Sequence, residues 1–148
     1  MKRLFYRILN PFRTAYRFIF RPKTTGVKCL VEHNGKFLMI RIAYGHKHWT
    51  FPGGGVDRGE LPEIAAKREV REEVGIEVEK VTPIGEYFNT RHYSKDTVYC
   101  FYSKVASDYF SIDNNEVAEA RWFSLSEIPA MQSFAVREVL NLYAKRSI

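Results

Sequence analysis

The chain has 148 residues, 45% hydrophobic and 27% charged. These proportions suit one globular domain with a sizeable core and argue against a disordered chain. No apolar run approaches the roughly 18 to 20 residues that cross a bilayer, so no transmembrane helix is expected. The net charge of +6 is unevenly placed: residues 1–23 hold seven basic side chains and no acid, which leaves 16 basic and 17 acidic residues in the rest. The body is therefore near neutral, and any attraction to polyanions belongs to the N-terminal segment.

That segment reads as two short helices, with Asn10 as an N-cap, Pro11 at a first helical position and Arg21-Pro22 as a stop. Leu4, Ile8, Phe12, Ala15, Tyr16 and Ile19 recur at helical spacing, while Arg13, Arg17 and Arg21 step along another face. The expected organisation is a basic amphipathic arm, 1–23, followed by a domain at 24–148. The arm has several readings: packing on its own domain or on the second subunit of a homodimer, lying on an anionic membrane surface, contacting RNA, or serving as a removed targeting peptide.

Thr24 to Val31 and Lys36 to Ile42 are apolar, β-branched runs joined through Asn34-Gly35, a strong hairpin signal. Trp49 to Phe51 predicts a short strand, and Pro52 with Gly53, Gly54 and Gly55 predicts a tight turn. Pro62 to Val74 is a run of helix formers with proline at its start and Gly75 beyond its end. Val78 to Phe88, Thr97 to Val105 and Ala118 to Phe123 predict strands, and Phe134 to Ala144 an amphipathic helix. The fold class is α/β in the broad, α+β sense: a mixed sheet with helices packed on it. Cys29 and Cys100 both fall in strands and read as buried free thiols of a reducing, cytoplasmic compartment.

Glu69, Glu72 and Glu73 stand at i, i+3 and i+4 on the predicted helix, so their side chains share one arc. Like charges this close repel unless cations offset them, and carboxylate oxygens are the donors that hard ions such as Mg²⁺ or Mn²⁺ prefer. Ala65 and Ala66, one turn earlier, leave room for an ion, with Ile64, Val70 and Val74 on the opposite side. Taken alone, three glutamates read as an ordinary solvated helix face. The surrounding pattern decides otherwise.

The stretch GGVDRGELPEIAAKREVREEVGI, beginning at Gly54, resembles the Nudix box: glycine, five residues, glutamate, seven residues, then REUxEExGU, with U aliphatic. Gly54, Glu60, Arg68, Glu69, Val70, Glu72, Glu73, Gly75 and Ile76 fill all nine positions. From average residue usage, a chance match is on the order of 10⁻⁸. The resemblance to Nudix hydrolases such as MutT implies a mixed sheet between helices. It also implies hydrolysis, assisted by Mg²⁺ or Mn²⁺, of the pyrophosphate bond of a nucleoside diphosphate linked to another group. Carried over, Glu72 and Glu73 are metal ligands, and Glu69 is a ligand or general base. Arg68 orients a glutamate, the Gly53 carbonyl is offered to the metal, Gly54 and Gly75 support the site, and Glu60 buttresses the loop. Glu116, beside Asp113 and Glu119, resembles an acid that the family draws from a later loop.

What selects the substrate is less marked. Tyr93 resembles the position where dinucleoside polyphosphate hydrolases keep a base-stacking tyrosine, although the chain has nine tyrosines. Arg91, His92, His46 and His48 fall in loops from which they could reach phosphate. Trp49 and Phe51 read first as core. The expected substrate is a small nucleotide, with the 5′ end of RNA as the second enzymatic reading and a non-catalytic nucleotide-binding regulator as the third.

Overall fold

The structure, a computed structural model, describes residues 24–43, 47–90, 96–112 and 114–146. The arm, His46, Arg91, His92, Tyr93 and Asp113 lie outside the described residues. Strand β1, Thr25–His33, and strand β2, Lys36–Ile42, form the expected hairpin. Asn34 at φ 49° and Gly35 at φ 77° supply the two left-handed residues that such a two-residue turn requires. Only Glu32↔Phe37 and His33↔Lys36 pair before the two strands part.

The next segment fills the gap between them. Strand β3, Trp49–Thr50, pairs antiparallel with β2, and strand β4, Gly53–Gly55, pairs antiparallel with β1. The glycine run is thus an extended strand rather than a tight turn. Its lack of side chains serves close approach: a Cβ at Gly53 would stand 2.1 Å from the Val27 carbonyl oxygen.

Helix α1, Pro62–Val74, has the predicted limits and ends in the left-handed Gly75, whose N–H donates to the Arg71 carbonyl. Leu61 occupies the N-cap position without a side-chain hydrogen bond. Residues 75–81 then run irregularly, so β5 begins at Thr82 and spans Thr82–Asn89. The apolar residues read there as strand, Val78 and Val81, instead pack with Ile76 against the core beneath α1. Strands β6, Asp96–Lys104, and β7, Val117–Phe123, follow, then a single 3₁₀ turn at Leu125–Glu127 and helix α2, Phe134–Lys145.

All seven strands form one mixed sheet, with β6 parallel to β1 from Thr25↔Thr97 to Glu32↔Lys104 and the other pairings antiparallel. Alternation along β1 sends Val27, Cys29 and Val31 into the core under α1 and Leu30 into the core under α2. Cys29 and Cys100 are buried free thiols in these two opposite cores, and burial pushes both up to about 12. Trp49 and Phe51 belong to the core under α2. Among the described residues no helix is long and apolar enough to cross a membrane.

Candidate active site

Helix α1 meets the sheet through Ala65, Ala66, Glu69, Val70, Glu73 and Val74. Two of these six contacts are carboxylates: Glu69 is 5% and Glu73 4% exposed. The alanines do not leave the open space expected of them but pack fully buried against the sheet, and Ile64, expected on the apolar side, is exposed. The glutamates can lie this close because β4 is bare. A Cβ at Gly54 would stand 2.5 Å from Glu69 Oε1, and the Gly53 N–H donates to Glu73 Oε2 in a long contact of 3.4 Å.

Arg68 organises the acids beside them. Its Nε and Nη2 donate to Glu60 Oε2 and Oε1 at 2.8 and 2.9 Å, a two-pronged grip that a lysine could not make. Nη1 reaches Glu69 Oε1 at 2.9 Å and Glu72 Oε2 at 3.2 Å, and Nη2 also donates to the Gly55 carbonyl at 2.9 Å. Glu60 in turn accepts from the Asp57 N–H at 3.1 Å, which ties the loop between β4 and α1 to the helix. Hydrogen bonds from Arg68 hold the Glu60 carboxyl below its ordinary range, and the same bonds raise the Arg68 guanidinium.

Glu72 and Glu73 move the other way. Burial pushes Glu72 upward, against Arg68 and with the help of Glu69 and Glu116. Glu73 is pushed well above the carboxylate range by burial, with Lys28 opposing and Glu69 adding to the shift. Among the described residues no three His, Cys, Asp or Glu side chains converge at cation-ligand spacing. Glu60, Glu69 and Glu72 turn instead to Arg68.

Lys28 is the residue that the sequence reading missed. It sits on β1 opposite Gly53 and Cys100, and its ammonium donates to the Phe51 carbonyl at 2.9 Å. Burial lowers its pKa while Glu73 and Glu69 raise it, so it lies within electrostatic reach of both. A signal was present, since Lys28 interrupts the apolar run of β1 on the face it shares with Leu30.

Other expected site residues are dispersed. Glu116 lies in the turn before β7, half-buried, with its carbonyl accepting from the Ala43 N–H and its charge felt at Glu72. Gly75 caps α1 one turn beyond Glu72. His48 is exposed at the entry to β3, which lies beyond β2 from β1 along the sheet.

The model of the NUDIX domain matches residues 21–143. The chain belongs to the Nudix family. Nudix proteins generally use divalent metal cations. An RNA pyrophosphohydrolase of Tolumonas auensis is 48% identical over 63 residues, which is 43% of this chain and 34% of that protein. The asymmetrical bis(5′-nucleosyl)-tetraphosphatase of Mus musculus is 33% identical over 104 residues, covering 67% of this chain and 71% of that protein. A MutT Nudix hydrolase from Burkholderia pseudomallei shares the fold, with a TM-score of 0.72 at 23% identity over 80% of this chain and 96% of the other. The matched stretch spans only 34–39% of the length of the RNA pyrophosphohydrolases it resembles.

Proposed function

We propose that this Nudix chain hydrolyses a phosphoanhydride bond of a nucleotide with the help of a divalent cation, Mg²⁺ or Mn²⁺. The observation that carries the reading is the burial of Glu69 and Glu73 against the bare backbone of Gly53 and Gly54. Burying a carboxylate costs several kcal/mol unless it is compensated. The cation fits on chemistry: the donors are carboxylate oxygens and a backbone carbonyl, the set that hard dications take, and burial holds Glu72 and Glu73 above their ordinary range with neighbouring Glu69 adding to it.

Glu72, Glu73 and the Gly53 carbonyl would hold the ion, with Glu116 as a further donor from its turn. A bound dication supplies neutralisation of phosphate charge and acidification of water. Glu69, gripped at Oε1 by Arg68, would serve the ion as a further ligand or take the proton of the attacking water. Arg68 sets the orientation of Glu69 and Glu72, and Glu60 locks Arg68 to the loop. The substrate proposed is a small nucleotide, such as a nucleoside triphosphate or a dinucleoside polyphosphate. Arg91, Tyr93 and His48 remain proposed contacts.

The test is a panel of nucleoside triphosphates, dinucleoside polyphosphates and nucleotide sugars incubated with Mg²⁺ or Mn²⁺, with products resolved by chromatography. Release of phosphate, pyrophosphate or a nucleoside monophosphate that stops on chelation supports the reading. If the protein binds a nucleotide tightly while no cation supports cleavage, the chain is a binding module instead.

A second reading, action on the 5′ end of RNA, is favoured by the 48% identical stretch and by the seven basic residues of the arm. Removing residues 1–23 should then depress action on triphosphorylated RNA far more than on free nucleotides, with steep salt dependence. Equal loss on both substrates would count against it.

A further inference from the structure

The geometry points to Lys28 as a phosphate-binding residue, a second cation that the substrate meets beside the metal-holding glutamates; this rests on the hydrolase reading above. Lys28 is an unusual occupant of its position. It stands in β1 between the buried Val27 and Cys29, where an apolar residue would cost nothing to desolvate. An ammonium has three donors, and among the described residues the hydrogen-bond partner of Lys28 is the Phe51 carbonyl alone. Among those residues no carboxylate stands within ion-pair distance of it either, although Glu73 and Glu69 are close enough to act on it electrostatically.

The fold makes room for this side chain. Gly53, its cross-strand partner, has no Cβ; one placed there would stand 2.9 Å from Lys28 Cδ and 3.0 Å from its Cα. The bare strand β4 therefore admits the stem of Lys28 at Gly53 and Glu69 of α1 at Gly54, on opposite faces, and brings opposite charges to one short stretch of backbone. Lys28 is half-buried as a residue, whereas both of its neighbours along β1 are buried. A group with two unused donors beside a carboxylate cluster suits an anion that the cluster alone would repel. A phosphate oxygen of a nucleotide is that anion, bound by the glutamates through their cation and by Lys28 directly. The alternative, a fixed counter-charge for Glu73, would be expected to show a direct contact.

The two roles separate in binding rather than in turnover. Calorimetric titration of α,β-methylene-ADP in saturating Mg²⁺ is compared among the wild type, Lys28→Met and Lys28→Gln, alongside titration of each with Mn²⁺ alone. Loss of a charged hydrogen bond should weaken the nucleotide analogue by about ten- to a hundredfold in both variants, with Mn²⁺ binding as tight as in the wild type or tighter. Glutamine keeps a donor for Phe51 but not the charge, so rescue by Lys28→Gln would overturn the proposal in favour of a structural role. Unchanged analogue binding in either folded variant, or a parallel loss of Mn²⁺ affinity, would also overturn it. If the wild type itself binds Mn²⁺ but no nucleotide analogue, the hydrolase reading falls, and the role of Lys28 with it.

Discussion

The two helices cover opposite faces of one sheet and are built for different ends. Helix α2 buries Val136 and Val139 among Leu30, Phe37, Met39, Tyr87 and other apolar side chains, the ordinary way of holding a helix to a sheet. Helix α1 also buries valines and alanines, but gives two of its six buried positions to Glu69 and Glu73. Its attachment is therefore weaker than its length allows, and the deficit lies where the proposed chemistry is. Sites that hold unpaired charge before a ligand arrives are expected to trade stability in this way.

The sharpest way to separate the two faces is to neutralise the acids of α1. Glu73→Gln and Glu72→Gln should each lower kcat/KM by about a hundredfold or more. Glu73→Gln should meanwhile melt no lower than the wild type without metal, because it removes a buried charge. Normal turnover in both variants would remove the ligand assignment. Arg68→Met should do the opposite to stability, costing about 2–4 kcal/mol in chemical denaturation, since it leaves Glu60, Glu69 and Glu72 without their common partner. An Arg68→Met protein as stable as the wild type would show that the acids repartner.

On the other face, Val139→Ala should cost about 2 kcal/mol of stability and leave kcat/KM unchanged at temperatures where the protein stays folded. A comparable loss of activity would mean that α2 belongs to the site. The smallest effect is expected at the start of α1, where Leu61 is 61% exposed in the N-cap position. Leu61→Ser should stabilise the fold by about 1 kcal/mol, read as a rise in melting temperature.

Much of this contrast was legible in the sequence. Helix α1 declared itself through Pro62, Gly75 and the run of helix formers between them, and the hairpin through Asn34-Gly35, because these are local signals. The burial of Glu69 and Glu73 was not local. It depends on β4 lying against β1, and Gly53–Gly55 reads as a turn unless its partner strand is known. Lys28 was overlooked for the same reason, since its neighbours Phe51, Gly53 and Cys100 arrive from two other strands. Val78 and Val81 were misread as strand because a loop that covers a core carries the same apolar residues as a strand edge.

The central claim is that the buried acids of α1 await a cation, and one series of thermal melts tests it most directly. A carboxyl whose folded pKa is raised, as burial raises Glu73 above 4.5, favours the folded state below the unfolded value. That contribution is lost as pH rises through the folded value. Wild-type protein without metal should therefore lose stability from about pH 4.5 upward through the raised Glu73 value, against the opposite trend of Glu60. Saturating Mn²⁺ should restore it at pH 7 and do little at pH 4.5, where protons compete for the ligands. Glu73→Gln should show a smaller loss, that of the raised Glu72 alone, and no Mn²⁺ response. Equal Mn²⁺ stabilisation of wild type and Glu73→Gln, or none in the wild type at pH 7, would contradict the account.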